Sequence, residues 1–130
     1  MSKEQKIKWL VIVNPAASGG QGEQRWSVIQ AYLHKSGIDF FYKKTTHRNH
    51  ATHLAQEAIE AGCRHLIAVG GDGTGNEVVN GIFQQKKVKS TAITFALLPL
   101  GTGNDWIKTH QIPKDLALWV DCLKKGKTTI

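Results

Sequence analysis

Apolar positions along this chain alternate between short unbroken runs and stretches with helical spacing. Ile7 to Val13 is the first run, the pattern of a strand buried on both faces, and Asn14-Pro15 ends it. From Gly22 to Ser36 the spacing lengthens. Trp26, Ile29 and Leu33 fall on one face of a predicted helix that Gly37 closes. Ile38 to Lys44, rich in aromatics, predicts a second strand with Thr45-Thr46 at its end. Asn49 to Ala61 is the clearest helix. Ala51, Leu54, Ala55, Ala58 and Ile59 line one face, and Gly62 is the stop.

The next unit, Leu66 to Phe83, organises the rest. Leu66 to Val69 predicts a buried strand, and Gly70-Gly71-Asp72-Gly73 a sharp turn where another molecule can approach the backbone. Thr74 reads as an N-cap with Glu77 at capping-box spacing. Val78, Val79, Ile82 and Phe83 form the apolar face of the helix that follows. Gln84 to Ser90 is a polar, lysine-rich loop, and Ala92 to Leu98 a fourth strand. Asp105 to His110 reads as a short helical turn. Pro113 and Asp115 open a last helix with Leu116, Trp119, Val120 and Leu123 inward, and Lys127 to Ile130 reads as the start of a strand. Strands alternating with helices predict an α/β fold with a mostly parallel sheet joined by right-handed crossovers.

Composition narrows the class. A chain of 130 residues, 41% hydrophobic and 21% charged, suits one globular domain with a real core. No apolar run is long enough to span a bilayer, and Met1 to Lys8 lacks an apolar signal region. Cys63 and Cys122 form no metal or redox motif and read as reduced thiols in a cytosolic protein. The formal net charge of +7 favours anionic partners, with local clusters at Lys86-Lys87-x-Lys89 and Lys124-Lys125-x-Lys127. The four tryptophans are spaced as core and interface residues, not as a nucleic-acid stacking platform.

The candidate chemistry lies where apolar runs meet glycines. Val13 leads into Asn14-Pro15-Ala16-Ala17-Ser18-Gly19-Gly20, Val69 into Gly70 to Gly73, and Leu98-Pro99-Leu100 into Gly101-Thr102-Gly103-Asn104-Asp105. Parallel strands would bring these three loops to one sheet edge, where open α/β folds bind ligands. There is no P-loop and no complete Rossmann fingerprint. Backbone-rich loops can still cradle a polyphosphate, with Thr74 and Thr102 offering hydroxyls and Asn14, Asn76 and Asn104 offering amides. Asp72 and Asp105 can accept a proton or hold Mg²⁺, which suits phosphoryl transfer. His47, His50 and His53 have ligand-like spacing. With no cysteine or acid beside them, they read as exposed polar residues at a helix start.

Three segments together resemble the catalytic domain of diacylglycerol kinases, a family that includes sphingosine and ceramide kinases and bacterial soluble lipid kinases. They are Asn14-Pro15 with its following glycines, Gly70-Gly71-Asp72-Gly73-Thr74-x-Asn76-Glu77-Val78-x-Asn80-Gly81, and Leu98-Pro99-x-Gly101-Thr102-Gly103-Asn104-Asp105. The resemblance runs from Ile7 to the end. It implies a three-layer α/β/α sandwich of the NAD kinase and diacylglycerol kinase type. Residues 1–130 would be the N-terminal ATP-binding domain, and a β-rich lipid-binding domain would follow. It implies ATP-dependent, Mg²⁺-assisted phosphorylation of a lipid hydroxyl, diacylglycerol giving phosphatidic acid, by a cytoplasmic enzyme peripheral to an anionic membrane. Asn14, Pro15, Ala16, Ala17 and Ser18 would form the first nucleotide loop, Thr45 a second contact, and Thr102 a last one. Gly71, Asp72, Gly73, Thr74, Gly75, Asn76 and Glu77 would form the phosphate loop. Asp72 and Asp105 would be the catalytic and Mg²⁺-network acids. Gly75 stands where the family usually has an aliphatic residue, and the first loop departs from the commonest Asn-Pro-x-Ser-Gly form. Two other functions stay open, an NAD kinase and a non-catalytic nucleotide- or membrane-binding module. Self-association is open as well.

Overall fold

A computed structural model of the chain describes residues 8–16, 22–99, 120, 121 and 123. The elements in order are β1 (Lys8–Val13), α1 (Gly22–Lys35), β2 (Asp39–Lys44), α2 (His50–Glu60), β3 (His65–Gly70), α3 (Asp72–Gln84), a 3-10 turn (Ser90–Ala92) and β4 (Thr94–Pro99). The four strands form one parallel sheet in the order β2-β1-β3-β4. Burial on both faces explains the unbroken apolar runs: Trp9 to Val13 and Leu66 to Gly70 are all buried.

Alternate strand residues feed two cores. Trp9, Val11, Val13, Ile67, Val69, Ala96 and Leu98 pack with Trp26, Ile29 and Leu33 of α1 and with Val120, a helical residue further along. Leu10, Ile12, Leu66, Ala68 and Phe95 pack with Ala51, Leu54, Ala55 and Ile59 of α2 and Val78 and Ile82 of α3. Helices thus cover both sheet faces, giving the α/β/α layering. Val120 is buried and Leu123 packs on the first core, as the helical spacing predicts; Leu116 and Trp119 lie outside the described residues.

The helix stops at Gly37 and Gly62 have φ of 81° and 109°, which glycine adopts without steric cost. Trp9 and Trp26 are core residues, as their spacing suggests. His65, at the start of β3, meets Trp9 edge-on at 5.1 Å, and burial pushes its imidazole below the usual value.

Four expectations need correction. Gly71 to Gly73 is not a free loop: α3 begins at Asp72, with Gly71 as its N-cap in an extended conformation. Thr74 is therefore inside the first turn, not at the cap, and Glu77 does not close a capping box on it. Phe83 is 68% exposed, because one further step along the helix carries it off the face that Val78 and Ile82 bury. The fourth strand starts two residues late, since Ser90–Ala92 is spent on a 3-10 turn.

Candidate functional site

The ends of the strands meet at one edge. Val13 of β1 is in register with Val69 of β3, and Val69 with Leu98 of β4. Beyond the ladder the chains stay tied. The Asn14 N–H donates to the Val69 carbonyl at 2.9 Å, and the Thr45 N–H to the Val13 carbonyl at 2.8 Å. The residues after β1, β2 and β3 are therefore held side by side, as parallel pairing requires.

Asn14 is the junction. Its side-chain Nδ2 donates to Thr74 Oγ1 at 3.2 Å, and its Oδ1 accepts the Ala16 N–H at 3.0 Å. Thr74 is 5% exposed, and its hydroxyl joins the first loop to α3 through a part-buried bond at the cleft wall. Gly70 lies under the same contact: a Cβ there would come within 2.6 Å of Thr74 Oγ1. The first bond that α3 makes to its own start runs from Gly75 N–H to Gly71 C=O at 3.2 Å. Asp72, Gly73 and Thr74 precede it, so their N–H groups are the helix-end donors that suit an anion. Its N-cap is a glycine, and among the described residues no side chain caps this end.

A cleft of about 330 Å³ opens beside this junction. Asn14, Ala16, Thr45, Thr74 and Glu77, all expected from the sequence, line it. Thr46 and Arg48, which sequence reasoning passed over, line it too, as does His47, which the sequence reading took for an exposed polar residue. Arg48 places a guanidinium where the glycine loops supply none, a cation suited to phosphate oxygens. The signal available was its position three residues after Thr45. His47 and His50 stack at 4.4 Å between ring centroids, 13° from parallel. The Thr46 N–H donates to His50 Nδ1 at 3.0 Å, which requires a lone pair there and so puts any proton of the neutral ring on Nε2. Lys44 and Glu23 form an exposed pair at 2.8 Å that ties the end of β2 to the start of α1. The carboxylate raises the Lys44 pKa.

Other site residues are placed by their backbone. Pro15 follows the junction and is half-buried; Gly71 and Gly73 are exposed at the start of α3, and Asn76 is exposed one turn in. Gly75 is buried, and a Cβ there would lie 3.3 Å from Leu97 Cδ1, so this chain pairs a small helix residue with a large one on β4. Asp72 is the first residue of α3. Ala17, Ser18, Thr102 and Asp105 lie outside the described residues. Among the described residues, no three His, Cys, Asp or Glu side chains gather as a metal site. No described helix is long and apolar enough to cross a membrane. A larger cavity of about 510 Å³ opens between Phe41 and Lys43 of β2 and the end of α2, and none of the described candidate site residues lines it.

Comparison with known proteins matches this geometry to a family. The diacylglycerol kinase catalytic domain profile matches residues 8–130. A diacylglycerol kinase of Staphylococcus epidermidis is 37% identical over 97 residues, covering 75% of this chain and 29% of that protein. One from Staphylococcus aureus (strain MRSA252) is 33% identical over 119 residues, covering 92% of this chain and 36% of that protein. Among solved structures, a diacylglycerol kinase from Bacillus anthracis superposes with a TM-score of 0.68 at 30% identity, covering 95% of this chain and 44% of that one. The chain spans well under half the length of these relatives.

Proposed function

Because the chain belongs to the diacylglycerol kinase catalytic domain family, we propose that it is the nucleotide-binding half of an ATP-dependent lipid kinase, acting on diacylglycerol to give phosphatidic acid. The observation that carries this reading is the junction of Asn14, Thr45 and Thr74 beside the uncapped start of α3. Triphosphate oxygens would take the N–H groups of Asp72, Gly73 and Thr74, with Asn14, Thr45 and Arg48 around them. Pro15 to Ser18 and Thr102 would complete the nucleotide contacts.

The donor set suits a divalent cation bound with the nucleotide: Asp72 and Asp105 offer the hard oxygens that Mg²⁺ takes. Bound there, the ion would neutralise charge on the transferring phosphoryl group. The acceptor hydroxyl oxygen forms the new bond to the γ-phosphorus as the bond to the β–γ bridging oxygen breaks. The hydroxyl proton passes to the Asp72 carboxylate. The net charge of +7 supports work at an anionic membrane face, on the cytoplasmic side, where a lipid substrate would be met.

The test is transfer from γ-labelled Mg-ATP by the intact protein that carries this chain. Label in phosphatidic acid from diacylglycerol vesicles is the expected result. Label in NAD instead would make it an NAD kinase. Saturable ATP binding without transfer to any acceptor would make it a non-catalytic module. Either result would overturn the proposal.

A further inference from the structure

Among the described residues, Glu77 is the one carboxylate lining the cleft, and its bonds run to the start of α2. Its Oε2 accepts the backbone N–H of Asn49 at 3.1 Å. Asn49 precedes α2 with φ 67° and ψ 4°, the only described non-glycine residue at positive φ, and its own side chain makes no capping bond. Asparagine tolerates this left-handed conformation better than most residues, but it still needs support. The support comes from α3. The Glu77 carbonyl also accepts Thr52 Oγ1 at 2.7 Å. One turn on, a Cβ at Gly81 would lie 2.6 Å from the Thr52 carbonyl oxygen and 2.9 Å from Ala55 Cβ. The two helices cross in close backbone contact, with no room to slide.

This seam fixes the segment between β2 and α2 at both ends. At one end, Thr45 N–H holds to Val13. At the other, Asn49 N–H holds to Glu77. Between them lie Thr46, His47 and Arg48, which also line the cleft. A free carboxylate facing a triphosphate would repel it. The Glu77 carboxylate keeps its charge when it accepts the Asn49 N–H, so it is a poor direct ligand for a triphosphate, and that bond makes it an anchor instead.

We infer that Glu77 is a positioning residue and not a nucleotide ligand. It holds Asn49 in the left-handed turn and so aims Thr45 to Arg48 at the phosphate helix, through a hydrogen bond that does not need the negative charge. The inference rests on the nucleotide-binding reading above.

The test compares Glu77→Ala, Glu77→Gln and the pair Glu77→Ala with Asn49→Gly in the intact protein. Loss of the bond in Glu77→Ala should raise the KM for ATP on the order of tenfold, with a smaller change in kcat. Glu77→Gln should recover most of that loss, because its amide oxygen accepts the same N–H. Asn49→Gly should recover part of it in the alanine background, because glycine takes positive φ without support. Hydrogen exchange at the Asn49 amide gives a second readout, independent of catalysis: slow in wild type and Glu77→Gln, fast in Glu77→Ala. Should Glu77→Ala fail to fold, the glutamine variant alone decides. Glutamine as damaging as alanine, or an Asn49 amide that exchanges fast in wild type, would overturn the inference. A wild-type protein that ignores ATP but protects the Asn49 amide would sink the nucleotide reading and leave the anchor standing.

Discussion

Asn14 and Thr74 carry more of this site than their neighbours. Thr74→Val keeps shape and volume but removes the hydroxyl that Asn14 Nδ2 donates to. At this part-buried seam, where cleft water can reach the freed amide, losing the bond costs about 1 kcal/mol. The variant should lower the unfolding free energy by that amount in a urea titration, and weaken ATP binding as the first loop loosens. An unchanged midpoint with full ATP affinity would mean the contact is incidental. Sequence reasoning placed Thr74 in the site but gave it the wrong partner. Capping-box spacing is a local signal, whereas the hydroxyl's partner lies sixty residues earlier in the loop after β1, invisible to any local pattern. His65 offers a pH test. Burial lowers its pKa, so folding disfavours the imidazolium. There is no penalty well above the unfolded value of about 6.5, and one develops as pH falls from there toward the lowered folded value. His65→Phe keeps a ring against Trp9 and should flatten that part of the stability profile between neutral and mildly acid pH. An identical slope in wild type and variant would count against it.

At the scale of elements, strands and helices were legible because their burial is regular. Strands with two covered faces show unbroken apolar runs, and α2 shows its single stripe. What misled was α3, where glycines hide the helix start and an apolar residue faces water. Ile82→Ala should cost about 2–5 kcal/mol and Phe83→Ser less than about 0.5 kcal/mol, since Ile82 is 6% exposed and Phe83 68%. Equal costs would mean that the helix is rotated from the face described here. Gly73 tests the phosphate cradle within the same helix. It is not among the residues at positive φ, and a Cβ there meets nothing within 4 Å. Gly73→Val should therefore leave the denaturation midpoint close to wild type. A side chain at the helix start would still intrude on any phosphate held by its N–H groups, so ATP affinity should drop at least about tenfold. Unchanged affinity would remove this loop from the nucleotide site.

For the whole molecule, the question is what these 130 residues can do alone. Two cores, one on each sheet face, are assembled from described residues, and local patterning agrees with them almost throughout. The domain should therefore fold by itself and unfold cooperatively. Catalysis asks for more. Phosphoryl transfer needs the acceptor hydroxyl held in line with the γ-phosphate, and water kept out. The cleft is about 330 Å³, and among the described residues it is lined by Ala16 with threonines, an amide, a histidine and charged groups, without an apolar wall for an acyl chain. The sequence left no amphipathic segment over for such a wall once strands and helices were assigned. The family members matched here are more than twice as long as this chain. Residues 1–130 should bind Mg-ATP yet transfer phosphate to mixed diacylglycerol vesicles at least about a hundredfold more slowly than the intact protein, a loss well within what positioning contributes. Calorimetric titration with ATP and a vesicle assay on both forms would measure the two halves of that statement. Comparable turnover by the short form would mean that the acceptor site lies inside this domain. The 510 Å³ cavity beside Phe41 would then be the first place to seek it.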